Sequence, residues 1–299
     1  MTGGGRLRFP RLPLPGRRGS GIVPGLPLRV PPAFTLEITA QCNFDCPYCY
    51  CLWHEFPELA RKSLSPEEWR KIISLLIRRG VTDLTFSGGE ALLYPHCPEL
   101  LAFARRALPA GRITLFTNGS LLTGELLRKL HDTKFGLAVS WQGIRSYAGM
   151  TGSSLSCRHV RDLLEQCREI GLDVSVSTVV TQLNRQEICD VFAAAAEAGA
   201  KFIQLGPMMV QGRGRHRPDL ALSRSEWEET KERIRHMKNC HTKYAFCEEM
   251  ICRCRKHPRE LLERFALPGK PEPCPAGKTM GVISPDGSFR KCLHHIESR

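Results

Sequence analysis

No window of the chain approaches 18 consecutive apolar residues, so no membrane-spanning helix is expected. The opening segment has no apolar stretch of the kind that directs export, which excludes a secretory signal. Acidic residues are absent from positions 1–30, which carry six arginines (Arg6, Arg8, Arg11, Arg17, Arg18 and Arg29) among many prolines and glycines. Such a composition cannot build a core, and residues 1–32 are expected to form a disordered basic tail. The tail accounts for nearly half of the net charge of +13. The remainder forms no basic stripe, so no nucleic-acid partner is expected. With neither a membrane span nor an export signal the expected location is the cytoplasm. There, 14 cysteines point to metal ligands rather than disulfides.

At 299 residues the chain holds one large domain or two ordinary ones. Short apolar strands alternate with amphipathic helices. Phe34, Leu36 and Ile38 alternate with Thr35, Glu37 and Thr39, the pattern of a half-buried strand. Further strands are expected at 82–87, 112–117, 136–140, 173–180 and 202–206. Helices are expected after Ser65, and at 97–107, 121–131, 158–170, 186–198 and 224–238. Ser65, Pro66 and Glu68 make a capping box at the start of the first helix. Six strands separated by helices imply an α/β fold with a parallel sheet and right-handed crossovers, with ligands at the C-terminal ends of the strands. No repeat beyond this unit is present. The stretch 240–257 is rich in Cys, Lys and Arg, and 278–292 reads as a β-hairpin turning at Pro285-Asp286-Gly287.

The strongest chemical signal is Cys42, Cys46 and Cys49, spaced C-x3-C-x2-C on the loop after the first strand. Three thiolates on one loop suit three irons of a [4Fe–4S] cluster and leave the fourth iron open for a ligand. A zinc site completed by Cys51 or His54 is the alternative, although structural zinc sites usually join two cysteine knuckles from distant segments.

The triplet, with Tyr48 before its last cysteine, resembles the signature of the radical S-adenosylmethionine (SAM) enzymes. Ser87-Gly88-Gly89-Glu90 at the end of the second strand resembles that family's segment for the amino group of SAM. Two glycines permit close backbone approach, and a carboxylate suits an ammonium. Thr117-Asn118-Gly119 also resembles a family segment. Ser140 stands where relatives place a polar contact to the ribose, but Gln142 replaces their acid, and the arginine expected about twelve residues later is missing from Met150-Thr151-Gly152. Leu205 falls where an adenine contact is expected. The resemblance covers residues 33–210 and implies a partial (β/α)6 TIM-like barrel. It also implies reductive cleavage of SAM to a 5′-deoxyadenosyl radical that abstracts hydrogen, fed by a flavodoxin- or ferredoxin-type electron donor. No catalytic side chain beyond the cofactor and metal contacts is identified.

Cys274 and Cys292, spaced C-x12-G-x4-C through Gly287, resemble the start of the SPASM or twitch extension, which carries auxiliary iron–sulfur clusters. On this reading, residues 211–273 are a bridging helical region and 274–299 an auxiliary-cluster hairpin. Cys240, Cys247, Cys252 and Cys254 are candidate further ligands; Cys97, Cys157, Cys167 and Cys189 lack ligand spacing. Relatives with this motif imply a peptide or protein side chain as substrate. A tetrapyrrole side chain is the alternative, with the Gly/Arg/His run at 211–216 as a possible partner for its carboxylates. A non-catalytic zinc-binding scaffold is the alternative of another class.

Overall fold

The computed structural model describes residues 30–60, 63–237, 242–247 and 276–293. Residues 1–29 of the expected basic tail, Cys240, Cys252, Cys254 and Cys274 lie outside the described residues, whereas the Pro32 carbonyl accepts hydrogen bonds from the Thr82 and Asp83 N–H groups. Six parallel strands follow one another in sheet order: β1 (Ala33–Thr39), β2 (Asp83–Gly88), β3 (Arg112–Thr117), β4 (Gly136–Ser140), β5 (Val174–Val180) and β6 (Phe202–Pro207). Helices α1 (Pro66–Arg78), α2 (Cys97–Ala107), α3 (Gly124–Asp132), α4 (Tyr147–Thr151), α5 (Cys157–Glu169) and α6 (Ile188–Ala198) fill the crossovers. This strand order is that of a partial TIM-like barrel, as expected.

Two additions extend the six-strand unit. Helix α7 (Arg224–Arg235) is shorter than its sequence pattern, and β7 (Lys243–Phe246) then pairs parallel to β6, inside the stretch whose Cys, Lys and Arg content conceals a strand. At the other edge β8 (Met280–Ile283) pairs parallel to β1 and antiparallel to β9 (Phe289–Arg290). The expected hairpin is present, and it continues the barrel sheet beside the first strand.

Local chemistry explains the helix starts. In α1 the Ser65 hydroxyl accepts from the Glu68 N–H, and the Glu68 carboxylate accepts from the Ser65 N–H at 2.8 Å. Trp69, Ile72, Ile73 and Leu76 then fall on one buried face. Ser223 and Glu226 repeat the reciprocal cap on α7. Each such cap is worth roughly 0.5–2 kcal/mol.

The strand register divides the sheet into two unlike faces. Leu36, Ile38, Leu84, Phe86, Ile113, Leu115, Val139, Val176 and Ile203 are buried against the helices. Burying each such side chain contributes roughly 1.5–3 kcal/mol. The alternate residues, including Thr35, Thr85, Thr114, Ser175, Ser177 and Gln204, share the opposite face through their pairing. Parallel sheets are ordinarily apolar on both faces; here one face is polar because it lines a lumen.

Candidate active site

The C-terminal strand ends and the cysteine loop enclose a cavity of about 170 Å³. Cys42, Cys46, Cys49, Tyr48, Gly88, Gly89 and Ser140 all line it, so seven residues singled out from sequence meet in one place. Phe116, Thr117 and Asn118 at the end of β3 and Ser177 and Val179 of β5 are also part of the wall, as are Cys51, Ser87 and Gln142. Glu90 and Leu205 are not among the lining residues. Leu205 is buried in the core, and Cys292, also buried, lies just past β9 and likewise outside the wall.

The cysteine loop is irregular, and its backbone groups are satisfied by other elements. The Gly89 N–H donates to the Thr39 carbonyl at 2.8 Å and the Glu90 N–H to the Gln41 carbonyl at 2.7 Å. A Cβ on Gly88 would meet the Thr39 oxygen at 2.2 Å, and one on Gly89 the Gln41 oxygen at 2.2 Å. The two glycines therefore admit the approach of the β1 end as well as opening onto the cavity. From β3, the Asn118 amide donates to the Asn43 side chain at 2.9 Å. From α4, the Thr151 carbonyl accepts the Asp45 N–H at 2.9 Å, and the Cys46 thiol points at the same oxygen.

Glu90 is only 1 % exposed, and its carboxylate is already engaged. It accepts from the Thr117 hydroxyl at 2.7 Å, the Asn118 N–H at 2.7 Å and the Leu92 N–H at 3.0 Å. Burial raises its pKa, and these three donors oppose the rise. Sequence reasoning paired this carboxylate with a ligand ammonium; the structure gives it protein donors that fix the end of β3 beside the cavity.

Gln142 is similarly committed. Its amide oxygen accepts from the Val179 N–H at 2.8 Å, and its amide nitrogen faces the Ser177 carbonyl at 3.4 Å. Asn184 adds hydrogen bonds to the Gln142 and Val179 carbonyls. The amide that replaces the family's acid thus joins the ends of β4 and β5.

The three cysteines differ electrostatically. A hydrogen bond from Cys51 holds the Cys49 thiol well below its ordinary pKa; burial opposes this and His54 reinforces it. Burial pushes Cys46 up to about 12 despite a hydrogen bond from Tyr48. Burial raises Cys42 as well. All ten described cysteines are free thiols. Among the described residues no three His, Cys, Asp or Glu side chains are placed to share one metal ion. Cys42, Cys46 and Cys49 place three sulfur donors around one cavity, the donor set that suits three irons of a cluster.

The Gly/Arg/His run at 211–216 is a short 3₁₀ segment packed on this loop. Arg213 pairs with Asp45, and Arg215 with Glu55 at 2.8 Å. Sequence reasoning missed these partners, as it missed α4, Ser177 and Val179. The alternation of β5, which sets Ser175, Ser177 and Val179 on one face, was the available signal for the last two.

Several known proteins are similar to this chain. The sporulation killing factor maturation protein SkfB of Bacillus subtilis is 27% identical over 187 residues, covering 62% of this chain and 44% of that protein. The PqqA peptide cyclase of Streptomyces rochei is 27% identical over 272 residues, covering 88% of this chain and 69% of that one. The chain spans about half the length of several other curated relatives it matches. The crystal structure of Streptococcus suis SuiB bound to precursor peptide SuiA shares the fold, with a TM-score of 0.70 at 17% identity over 89% of this chain and 60% of that one. Among the described residues no helix is long and apolar enough to cross a membrane. The family model described as the Radical SAM superfamily matches residues 36–195, from the first strand to the last barrel crossover. Over half of the sequence, including the cysteine loop and strands β2 to β5, falls under that one description, and the chain belongs to the radical SAM superfamily.

Proposed function

We propose that this chain cleaves SAM reductively and modifies a peptide or protein side chain, working in the cytoplasm with electrons from a flavodoxin- or ferredoxin-type donor. The carrying observation is that Cys42, Cys46 and Cys49 line the same cavity as Gly88, Gly89 and Ser140. Bound there, a [4Fe–4S] cluster and SAM supply reductive cleavage and hydrogen abstraction. The chain's own residues do the rest. The cysteines hold the cluster, the Gly88-Gly89 backbone and Ser140 face SAM, and Tyr48 orients the Cys46 sulfur. Glu90 fixes the β3 end, and the apolar Phe116 and Val179 help to exclude water. In this reading Leu205 supports the site from the core.

The peptide substrate is supported by the names of relatives: a peptide cyclase and a maturation protein. A tetrapyrrole side chain is the minor alternative, supported by similarity to an Fe-coproporphyrin III synthase and an AdoMet-dependent heme synthase of Methanosarcina barkeri; the arginines at 211–216 add nothing to it, being paired with Asp45 and Glu55. An auxiliary iron–sulfur cluster at Cys274 and Cys292 belongs to the same proposal; Cys292 is buried directly after β9.

Anaerobic reconstitution tests the reading. Wild type should gain broad visible absorbance and release 5′-deoxyadenosine from SAM under a reductant, while C42A, C46A and C49A should each lose both. C51A should retain the iron. Full SAM cleavage in any of the first three would refute the ligand assignment. Mass spectrometry on candidate precursor peptides then tests the substrate class.

A further inference from the structure

The loop that carries the three cysteines has little hydrogen bonding of its own, and ordering it costs roughly 1–2 kcal/mol of backbone entropy per residue. The segment 212–215 supplies a set of contacts to it from across the barrel mouth. The Gly212 N–H donates to the Glu55 carboxylate at 2.6 Å, and the Arg213 N–H to the Cys49 carbonyl at 2.8 Å. The Arg213 guanidinium pairs with Asp45 and reaches His54 Nδ1 at 3.3 Å. Arg215 binds the other Glu55 oxygen, and the Glu55 side chain is 5 % exposed.

The backbone fits as closely as the side chains. Gly212 adopts φ +56°, and a Cβ there would lie 2.4 Å from the Cys49 carbonyl oxygen. A Cβ on Gly214 would lie 2.8 Å from the Met209 oxygen. A side chain at Gly212 would force the strap off the loop, one at Gly214 would break the strap's own turn against Met209, and Arg213 and Arg215 reach the carboxylates of Asp45 and Glu55.

We infer that residues 212–215 are a strap that positions the cluster loop, with Arg213 and Arg215 as positioning residues rather than anchors for an acidic substrate. Arg213 also sets a cation beside the cysteines. Cluster reduction adds negative charge, so a fixed cation nearby favours the reduced form and raises the potential. The inference rests on the cluster-binding reading of the loop, and its test separates the two.

The experiment compares wild type with R213Q, R213K and R215Q. Hydrogen–deuterium exchange at residues 42–55 is measured on the iron-free proteins. Loss of iron to a ferrous chelator and the midpoint potential are measured on the reconstituted ones. R213Q and R215Q should exchange about tenfold faster in the loop and lose iron about tenfold faster, the size expected for one charge-assisted hydrogen bond. R213Q should also lower the potential, and R213K should restore it towards wild type. Loop exchange and iron loss unchanged in both Gln variants would overturn the strap. If wild type takes up no iron, the proposed function fails, and the exchange data on iron-free protein still decide whether the strap holds the loop.

Discussion

Arg290, on the last strand, donates a hydrogen bond to the carboxylate of Glu37 on the first, across 253 positions of sequence, and both side chains are buried. Arg290 also donates to the Ser284 hydroxyl and to the Leu293 carbonyl, each at 2.8 Å. Glu37 lies two residues before the end of β1, so this pair sits where the hairpin, the first strand and the cysteine loop meet.

Removing one member of a buried pair leaves an uncompensated charge, at a cost of about 3–5 kcal/mol. R290M and E37Q should each lose about that much stability in chemical denaturation. The double variant should recover a large part of it. Strictly additive losses would show that the two side chains act separately.

Glu90 has three protein donors, and deleting the carboxylate orphans them. A buried unsatisfied donor costs about 1–3 kcal/mol, so E90A should lose at least about 2 kcal/mol in thermal unfolding and weaken SAM binding through the displaced β3 end. T117V removes one of the donors and should lose less. If E90A lost SAM affinity at full stability, the carboxylate would be facing ligand and not Asn118.

The glycines of the second motif differ from an ordinary helix-stop glycine. Gly89→Ala drives a methyl group into the Gln41 carbonyl oxygen, which only backbone movement can relieve. It should cost about 1–3 kcal/mol as overpacking and impair cluster loading. Gly80 has φ +88° but nothing within 4 Å of an added Cβ. Gly80→Ala should therefore cost only about 1 kcal/mol of backbone strain and leave loading unchanged. Equal effects on cluster loading in the two variants would contradict the packing account.

Glu226 gives a pH dependence with a definite sign. Burial raises its pKa, but hydrogen bonds from the Ser223 N–H, the Gln182 amide and the Ser223 hydroxyl, with the charge of Arg185, outweigh burial and hold it at about 2. A carboxyl depressed in the folded state stabilises above its unfolded pKa, and that contribution fades as pH falls from about 4.5 towards about 2. The slope of unfolding free energy against pH in this window should be shallower in E226Q than in wild type. Identical slopes would remove Glu226 from the acid response.

Much of this was legible in the sequence because it is local. The alternation in β1, the Ser65–Glu68 cap and the C-x3-C-x2-C spacing each sit within a few residues, and each is found where expected. What escaped depends on distant partners or short elements. Lys243–Phe246 is too brief and too polar at its edges to signal a strand, yet pairing with β6 makes it one. No local pattern states that β8 should pair with β1. Arg213 and Arg215 read as free cations until the fold brings Asp45 and Glu55 to them from about 160 positions away.

The alternation along the parallel strands has a consequence for how such a protein changes over time. Stability resides in Leu84, Ile113, Val176 and their neighbours facing the helices, whereas Thr85, Thr114 and Ser175 face the lumen from the very next positions. Mutation can therefore reshape the interior wall without touching the packed layer behind it. A single scaffold of this kind can be retuned to a new substrate one lumen residue at a time, while remaining folded at every step.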